Sequence, residues 1–177
     1  MGLPSDDKKP TLATLVRVLA EHQTPYALIG GVAMQLYTEE PRTTKDIDIA
    51  LSSFDDLPRP ALKAAGFAFE ARYEWSENWR APAPDERPRK RRIAVQFSVS
   101  GDMPAVVEHA ETVVIDGIPI RLATLPDVIQ LKLAAAEEPA RRPSKRLQDK
   151  ADVLRLIEDH PELETPEIRA RLDRLKL

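Results

Sequence analysis

The chain has 177 residues, a length that suits one domain with its own hydrophobic core. Hydrophobic residues make up 42% and charged residues 31%, the formal net charge is −3 at pH 7, and cysteine is absent. This composition excludes disulfides, a thiolate zinc site and an overall basic surface for nucleic acid. No apolar run reaches the length of a membrane span, and the polar first ten residues lack a signal-peptide core, so we predict a cytoplasmic protein with no membrane partner.

The first two thirds of the chain predict helices that alternate with strands. Hydrophobic periodicity predicts helices over 11–21, 32–37 and 58–65. Alternating apolar residues predict strands over 26–29, 46–51, 67–75 and 92–100. A hairpin is predicted over 113–122 with its turn at Asp116-Gly117, whereas segment 81–88 contains three prolines and is predicted to be a loop.

From Thr124 onward the sequence becomes helical in character. Helices are predicted over 124–138, over 144–160 and from Thr165-Pro166 onward, with a basic linker between the first two. Thr124 and Ser144 are the predicted N-caps of the first two. The predicted fold class is therefore α/β (α+β): a single domain with a small mixed-sheet core over about 11–123 and a helical tail over 124–177.

The segment from Gly30 to Leu51 carries the strongest chemical signal. Asp46 and Asp48 are two residues apart in a predicted strand, so their side chains share one face. Two aspartates on one face repel each other, and a bound cation would offset that repulsion. Carboxylate oxygens suit Mg²⁺, which keeps coordination positions for substrate phosphates. A solvated edge strand is the alternative interpretation.

Gly30 and Gly31 stand between a predicted strand and a predicted helix. Glycine lacks Cβ, so a phosphate could approach the free N–H groups at the start of that helix. The pair could equally be a plain strand-to-helix turn. An EF-hand is excluded, because the sequence from Asp46 has leucine where the Ca²⁺-binding loop needs glycine and glutamate.

Together these residues resemble the core signature of the nucleotidyltransferase superfamily, which has the polymerase-β-like fold. The resemblance consists of Gly30-Gly31 and the spaced residues Arg42, Thr44, Asp46 and Asp48, with fourteen residues between Gly31 and Asp46. Within the superfamily the chain resembles the AbiEii-like nucleotidyltransferase toxins of type IV toxin–antitoxin pairs. Small antibiotic nucleotidyltransferases are similar at this end. The similarity covers 26–51 and, less completely, 125–157.

The resemblance implies an enzyme that moves a nucleoside monophosphate from an Mg²⁺-bound NTP to an acceptor hydroxyl. Asp46 and Asp48 would hold the metal, Gly30 and Gly31 would cradle phosphates, and Arg42 and Thr44 would support them. The acceptor would be RNA, in particular tRNA, and a cognate antitoxin would be a partner. A small-molecule acceptor such as an antibiotic is the enzymatic alternative, and a catalytically weak nucleotide-binding regulatory module is the other.

Lys132 falls in the middle of the apolar face of its predicted helix. It either snorkels to the surface or reaches a partner. In the family that the chain resembles, a lysine in this context faces the active site, where it could stabilise charge in phosphoryl transfer. Arg146, Asp149 and Asp152 resemble a further family motif, in which the acid at position 149 orients that lysine or the nucleotide. The alternative for these acids is a solvated helix face.

Active members of the superfamily add a third carboxylate from a neighbouring strand, and this chain departs from that pattern. The strand that should supply it places Gln96 at the expected position. An amide oxygen can ligate Mg²⁺ but cannot accept a proton. Glu74 and Asp102 are the candidate substitutes.

Two basic runs complete the sequence-level site: 89–92 and the four cations Arg141, Arg142, Lys145 and Arg146. Both flank predicted active-site elements and could hold RNA phosphates. The aromatic residues Tyr73, Trp75 and Trp79 could stack on bases. Solvated loops are the alternative for both runs.

Overall fold

The structure, a computed structural model, describes residues 8–39, 44–83, 85 and 87–175. These residues form one mixed seven-stranded sheet and seven α-helices. The strands are β1 (Tyr26–Ile29), β2 (Asp46–Leu51), β3 (Ala68–Arg72), β4 (Ser76–Arg80), β5 (Ala94–Ser98), β6 (Glu111–Ile115) and β7 (Ile118–Leu122). The helices are α1 (Lys9–Glu21), α2 (Gly30–Tyr37), α3 (Arg59–Ala64), α4 (Met103–His109), α5 (Leu125–Glu137), α6 (Pro143–Asp159) and α7 (Pro166–Arg174).

The strands lie in the order β3-β4-β5-β2-β1-β7-β6, so β2 is the middle strand of the sheet. It pairs antiparallel with β1 and parallel with β5, and β1 in turn pairs parallel with β7. This mixed sheet with attached helices confirms the predicted fold class. It also excludes a solvated edge strand for the two aspartates, because β2 has a hydrogen-bonded neighbour on each side.

The two faces of the sheet differ around β2 and β5. Ile47 and Ile49 of β2, like Val95 and Phe97 of β5, are fully buried on one face. The intervening residues point to the other face and are exposed or partly exposed. This alternation places the polar residues of both strands on an open face, while the apolar residues form the core.

Helices α5 and α6 pack against each other and against α2. Val128, Leu133, Val153 and Leu156 are buried in these contacts. Helix α7 is tied back to α5 by Arg171, whose guanidinium donates to both carboxylate oxygens of Glu137 at 2.8 and 2.7 Å. The predicted helical tail is therefore a packed part of the structure. No helix among the described residues is both long enough and apolar enough to cross a membrane.

Most predicted elements are confirmed. The N-cap Thr124 accepts a backbone N–H as expected, and Thr165, where the last helix was predicted to start, does the same. The hairpin turn lies at Asp116-Gly117, where both residues have positive φ. Ser144, in contrast, is not a cap, because α6 begins at Pro143 and its N-cap is Arg142. Proline is favoured at the first helical position, where its missing N–H would have no intrahelical partner.

The largest error concerns strand β4. The sequence predicts one strand over 67–75, but the chain turns after Arg72 and returns antiparallel as Ser76–Arg80. Its mixed polar composition hides the alternation, since Glu77 occupies a buried position and donors from Arg59 and Trp79 bind its carboxylate. Helix α4 was also not predicted.

Candidate active site

The glycine pair lies directly against the two aspartates. Helix α2 begins at Gly30, which has a φ of +69°, and a Cβ on this residue would lie 2.1 Å from Oδ2 of Asp48. A Cβ on Gly31 would lie 2.7 Å from Oγ1 of Thr44. The backbone N–H of Gly31 also favours the charged form of the Asp48 carboxylate. These positions therefore require glycine for close packing against the acid-bearing segment, which is more specific than a general turn.

Asp46 and Asp48 share the open face of β2, with Asp46 exposed and Asp48 partly buried. Burial and the charge of Asp46 raise the pKa of Asp48 from 3.8 to about 6. Lys132, the Gly31 N–H and Arg141 act in the opposite direction and favour the carboxylate. The negative charge of the pair is therefore only partly compensated, and a bound cation would stabilise it.

Gln96 is the immediate neighbour of Asp48 on the same face. The parallel register of β2 and β5 pairs Asp46 with Ala94 and Asp48 with Gln96. The Gln96 side chain donates weakly to Oγ of Ser98, at 3.4 Å from Nε2 to Oγ. The predicted alignment of this strand is confirmed, and the position beside Asp48 holds an amide instead of a third carboxylate.

Neither candidate substitute for the third acid lies at this position. Glu74 is in the turn before Ser76, and Asp102 precedes α4, so both lie beyond the end of β5 at Ser98. That end is about 7 Å or more along the strand from Gln96, on the side away from Asp46. The strand register therefore does not support either residue in place of the missing acid.

The donor set fits a divalent cation that also binds substrate. The open face offers two adjacent carboxylates and the amide of Gln96, all hard oxygen ligands. Among the described residues no group of three or more His, Cys, Asp or Glu forms a complete protein cage. Mg²⁺ commonly binds through one or two carboxylates, with waters and phosphate oxygens completing the shell. These residues therefore match Mg²⁺ bound together with a nucleotide.

Lys132 is the centre of a buried ionic cluster between α5 and α6. Its Nζ lies 2.8 Å from Oδ1 of Asp149 and 2.9 Å from Oδ2 of Asp152, and both acids are buried. These contacts exclude a snorkelling lysine and a solvated face for the acids. The two helices that carry the cluster pack against α2, whose first residue Gly30 lies against Asp48.

The second basic run divides into residues with different surroundings. Arg141 donates from Nε to Oδ2 of Asp149 at 2.8 Å, whereas Arg146 donates to the Ala136 carbonyl near the end of α5. Arg142 and Lys145 are exposed. Of the four cations in this run, Arg141 is the one that joins the ionic cluster in the described part of the chain, and the sequence could not single it out from its neighbours.

The other sequence candidates have mixed outcomes. Arg42 lies outside the described residues, and Thr44 is beside Gly31 with its hydroxyl 3.5 Å from the Asp46 carbonyl. Trp79 is fully buried on the core face, so it cannot stack on a base. Tyr73 and Trp75 are exposed near the β3–β4 turn, at the end of the sheet away from Asp46.

One polar residue at the site was missed because strand β4 was missed. Antiparallel pairing places Asn78 beside Gln96, so Asp48, Gln96 and Asn78 form a row across three strands. Oδ1 of Asn78 is buried without a hydrogen-bond partner in the described part of the chain. The row extends the polar face from the carboxylate pair towards β3.

Solved structures with a similar fold include nucleotidyltransferases and a nucleotidyltransferase-like protein. An antigenic nucleotidyltransferase-like protein from Paracoccidioides brasiliensis is 21% identical, with a TM-score of 0.65 over 99% of this chain and 89% of that one. The antibiotic-resistance factor ANT(2'')-Ia is 12% identical, with a TM-score of 0.62 over 94% and 91%. The lincosamide antibiotic adenylyltransferase LnuA, bound to lincomycin, is 13% identical, with a TM-score of 0.55 over 84% and 95%. At these identities the similarity establishes the fold.

The family is established by the sequence itself. Residues 13–176 match the model of the nucleotidyl transferase AbiEii toxin family of type IV toxin–antitoxin systems. The chain therefore belongs to this family, as its glycine and aspartate motifs predicted. A search of curated proteins found no match.

Proposed function

We propose that this protein transfers a nucleoside monophosphate from an Mg²⁺-bound NTP to a hydroxyl of RNA, in particular tRNA, and releases pyrophosphate. The observation that carries the proposal is the contact between the start of α2 and the carboxylate pair. Gly30 and Gly31 leave no room for a side chain beside Asp48 and Thr44, and the two aspartates share an open face. Metal ligands and a phosphate-facing helix start thus adjoin each other.

In this proposal Asp46 and Asp48 would hold Mg²⁺, which would neutralise the negative charge of the phosphates. The N-terminus of α2 faces the phosphates, with Thr44 beside it. Lys132 stabilises charge that develops during transfer, and Asp149 fixes its position through their 2.8 Å contact. Arg42 has the supporting role that the family resemblance implies.

The reaction forms a bond between the acceptor oxygen and the α-phosphorus and breaks the bond from that phosphorus to pyrophosphate. The attacking hydroxyl loses its proton. Gln96 cannot accept this proton, although it lies beside Asp48 where the superfamily has an acid. If the protein is fully active, another group therefore takes the proton.

RNA is the favoured acceptor for two reasons. Membership of a toxin family supports it, and so does the position of the basic run at 89–92. This run directly precedes β5, whose first residue pairs with Asp46, so its cations lie at the carboxylate end of the sheet. The same family membership supports a cognate antitoxin as a protein partner.

Two alternatives each have an observation in their favour. The fold shared with ANT(2'')-Ia and LnuA supports a small-molecule acceptor, such as an antibiotic. The amide at position 96 supports a catalytically weak nucleotide-binding regulatory module.

The three functions are separated by one labelling experiment. The purified protein is incubated with Mg²⁺, each of the four NTPs labelled at the α-phosphate, and either total RNA or a panel of aminoglycosides and lincosamides. The Asp48→Asn variant serves as the control. Label that enters RNA only with wild-type protein supports the proposal, and label that enters only small molecules supports the first alternative. Nucleotide binding without transfer supports the regulatory module.

A further inference from the structure

Arg141 lies in the linker between α5 and α6 and joins the ionic cluster from its exposed side. Its side chain is 41% exposed, whereas that of Lys132 is 11% exposed. We infer that Arg141 contacts the polyphosphate of the bound nucleotide, while the more deeply buried Lys132 supports the polyphosphate through its charge. This inference rests on the proposed function, because it assigns a residue to the nucleotide of the same site.

Hydrogen-bonding capacity distinguishes the two cations. Lys132 has three N–H donors, and two are directed at Asp149 and Asp152. Arg141 has five donors, and among the described residues only Nε is engaged, with Asp149. Its terminal nitrogens thus keep four donors in a planar fork, a geometry that matches phosphate oxygens. Arg141 therefore has more donors left for a phosphate than Lys132 has.

The backbone and Asp149 together hold Arg141 in place before any ligand binds. The Arg141 N–H donates to the carbonyl of Glu138 at 3.1 Å, which closes the turn after α5. Oδ2 of Asp149 then receives Nε, while Oδ1 receives Lys132. One buried carboxylate therefore orients both cations, so less side-chain entropy remains to be lost when a phosphate binds.

The charges on the two sides of the site are complementary. Asp46 and Asp48 lie on the sheet side and would hold the metal, while Arg141 and Lys132 lie on the helical side. Helices α5 and α6 both pack against α2, whose first residue Gly30 lies against Asp48, so α2 joins the helical side of the site to the carboxylate side. A polyphosphate between the two groups would meet the metal on one side and the guanidinium on the other.

The test uses Arg141→Gln, in which the amide can still donate to Asp149 but the charge and the fork are lost. Arg142→Gln is the matched control, because Arg142 is adjacent and exposed. Arg141→Lys keeps the charge without the fork, and thermal unfolding checks that each variant is folded. Calorimetry measures the Kd of the Mg²⁺ complex of the best-bound NTP, of its monophosphate, and of inorganic tripolyphosphate.

We expect Arg141→Gln to weaken NTP and tripolyphosphate binding by about tenfold or more, as for loss of a charge-assisted contact. Monophosphate binding should change less than about twofold, Arg141→Lys should be intermediate, and Arg142→Gln should resemble wild type. Unchanged NTP binding in Arg141→Gln overturns the inference. Equal weakening of NTP and monophosphate also overturns it, since that pattern indicates a purely structural role. If wild-type protein binds no NTP, the proposed function itself fails.

Discussion

Gly30 shows how one residue couples backbone conformation to the site. Its positive φ and the 2.1 Å approach of a hypothetical Cβ to Asp48 are two separate barriers to any side chain. We expect Gly30→Ala to lower the free energy of unfolding by about 1–3 kcal/mol, because the left-handed conformation is strained for alanine. The variant should also displace Asp48 and abolish metal-dependent nucleotide binding.

Urea unfolding and calorimetry measure these two effects of Gly30→Ala. Gly101→Ala is the control, since nothing lies within 4 Å of a Cβ at that position. It should change stability by no more than about 0.5 kcal/mol. A Gly30→Ala protein as stable as wild type would contradict the packing described for Asp48.

Asp48 makes the metal-free protein less stable at neutral pH. Its pKa is about 6 in the folded protein against an ordinary value of 3.8, so ionisation is harder in the folded state than in the unfolded state. The stability that this group contributes is complete below about pH 4 and is lost as the pH rises through about 6. Asp48→Asn, which cannot ionise, should avoid that loss.

With EDTA present, we therefore expect Asp48→Asn to have the same free energy of unfolding as wild type near pH 4. At pH 7 the variant should be more stable by about 1–3 kcal/mol. Urea unfolding of both proteins across this range measures the difference. The same variant should lose metal-dependent nucleotide binding, as expected when a site is optimised for function at the expense of stability. A stability difference that does not change with pH would show that Asp48 titrates normally.

Gln96 allows a gain-of-function prediction. Because Gln96 lies beside Asp48 on the open face, Gln96→Asp should create a row with three carboxylates. We expect Mg²⁺-dependent nucleotide binding to tighten by about tenfold and any transferase activity to rise, since a charged ligand and a possible base are added.

Calorimetry and the labelling assay test Gln96→Asp, with Ser98→Asp as the control. Ser98 has the same orientation two residues along β5 but pairs with Ala50. If the natural protein is fully active and Gln96→Asp changes nothing, a different group accepts the proton.

At the scale of elements, the sequence predicted what strong periodicity and end signals specify. Strand β2, the β6–β7 hairpin, the cap at Thr124 and the helix start at Thr165-Pro166 were all recognisable because each depends on local residue types. Strand β4 was not recognisable, because Glu77 is a charged residue at a buried position. Its burial depends on Arg59, which is eighteen residues away in sequence, and local patterns cannot reveal such a partner.

The α5–α6 cluster shows the same limit for the site. The lysine at position 132, on the apolar face of its helix, predicted either a snorkelling side chain or a buried partner. The three-residue spacing of Asp149 and Asp152 placed both acids on one side of their helix. Whether Lys132 snorkels or binds the two acids depends on their burial, and their burial follows from how α6 packs on α5. The role of Arg141 also depends on this packing, because its partner Asp149 belongs to the next helix.

We expect Lys132→Met to lower the free energy of unfolding by about 3 kcal/mol, because two buried carboxylates lose their shared cation and keep only the partly exposed Arg141 and Arg155 beside them. The triple variant Lys132→Met, Asp149→Asn, Asp152→Asn should recover much of that loss, since no buried charge remains uncompensated. Urea unfolding measures both proteins. If Lys132→Met is as stable as wild type, the cluster is not the buried ion pair described.

On the scale of the whole molecule, the site combines distant parts of the chain. The sheet contributes the carboxylates and Gln96, and the helices after residue 124 contribute the cations. Basic residues at 89–92 adjoin the same end of the sheet, with Arg89 to Arg91 exposed. The net charge of −3 thus conceals a separation of negative and positive regions that a polyanion could use.

If RNA binds there, changing residues 89–92 to glutamine should weaken binding of all RNA sequences to a similar degree. Phosphate contacts carry no sequence information, and each lost contact should reduce the slope of log K against log salt by about 0.7–0.9. Fluorescence titrations of tRNA at several salt concentrations measure both quantities, with Arg17→Gln on α1 as a control. An affinity that does not depend on salt would rule out this surface.

The amide beside Asp48 also has a genetic consequence. Every glutamine codon becomes a glutamate codon through one nucleotide change, so the third carboxylate is a single mutation away from this gene. Selection could restore it readily if it were beneficial to the bearer. Growth competition among all codons at position 96, in cells that express the protein, would therefore reveal the direction of selection: depletion of glutamate would mean that the amide restrains a harmful activity, and enrichment would mean that it limits a useful one.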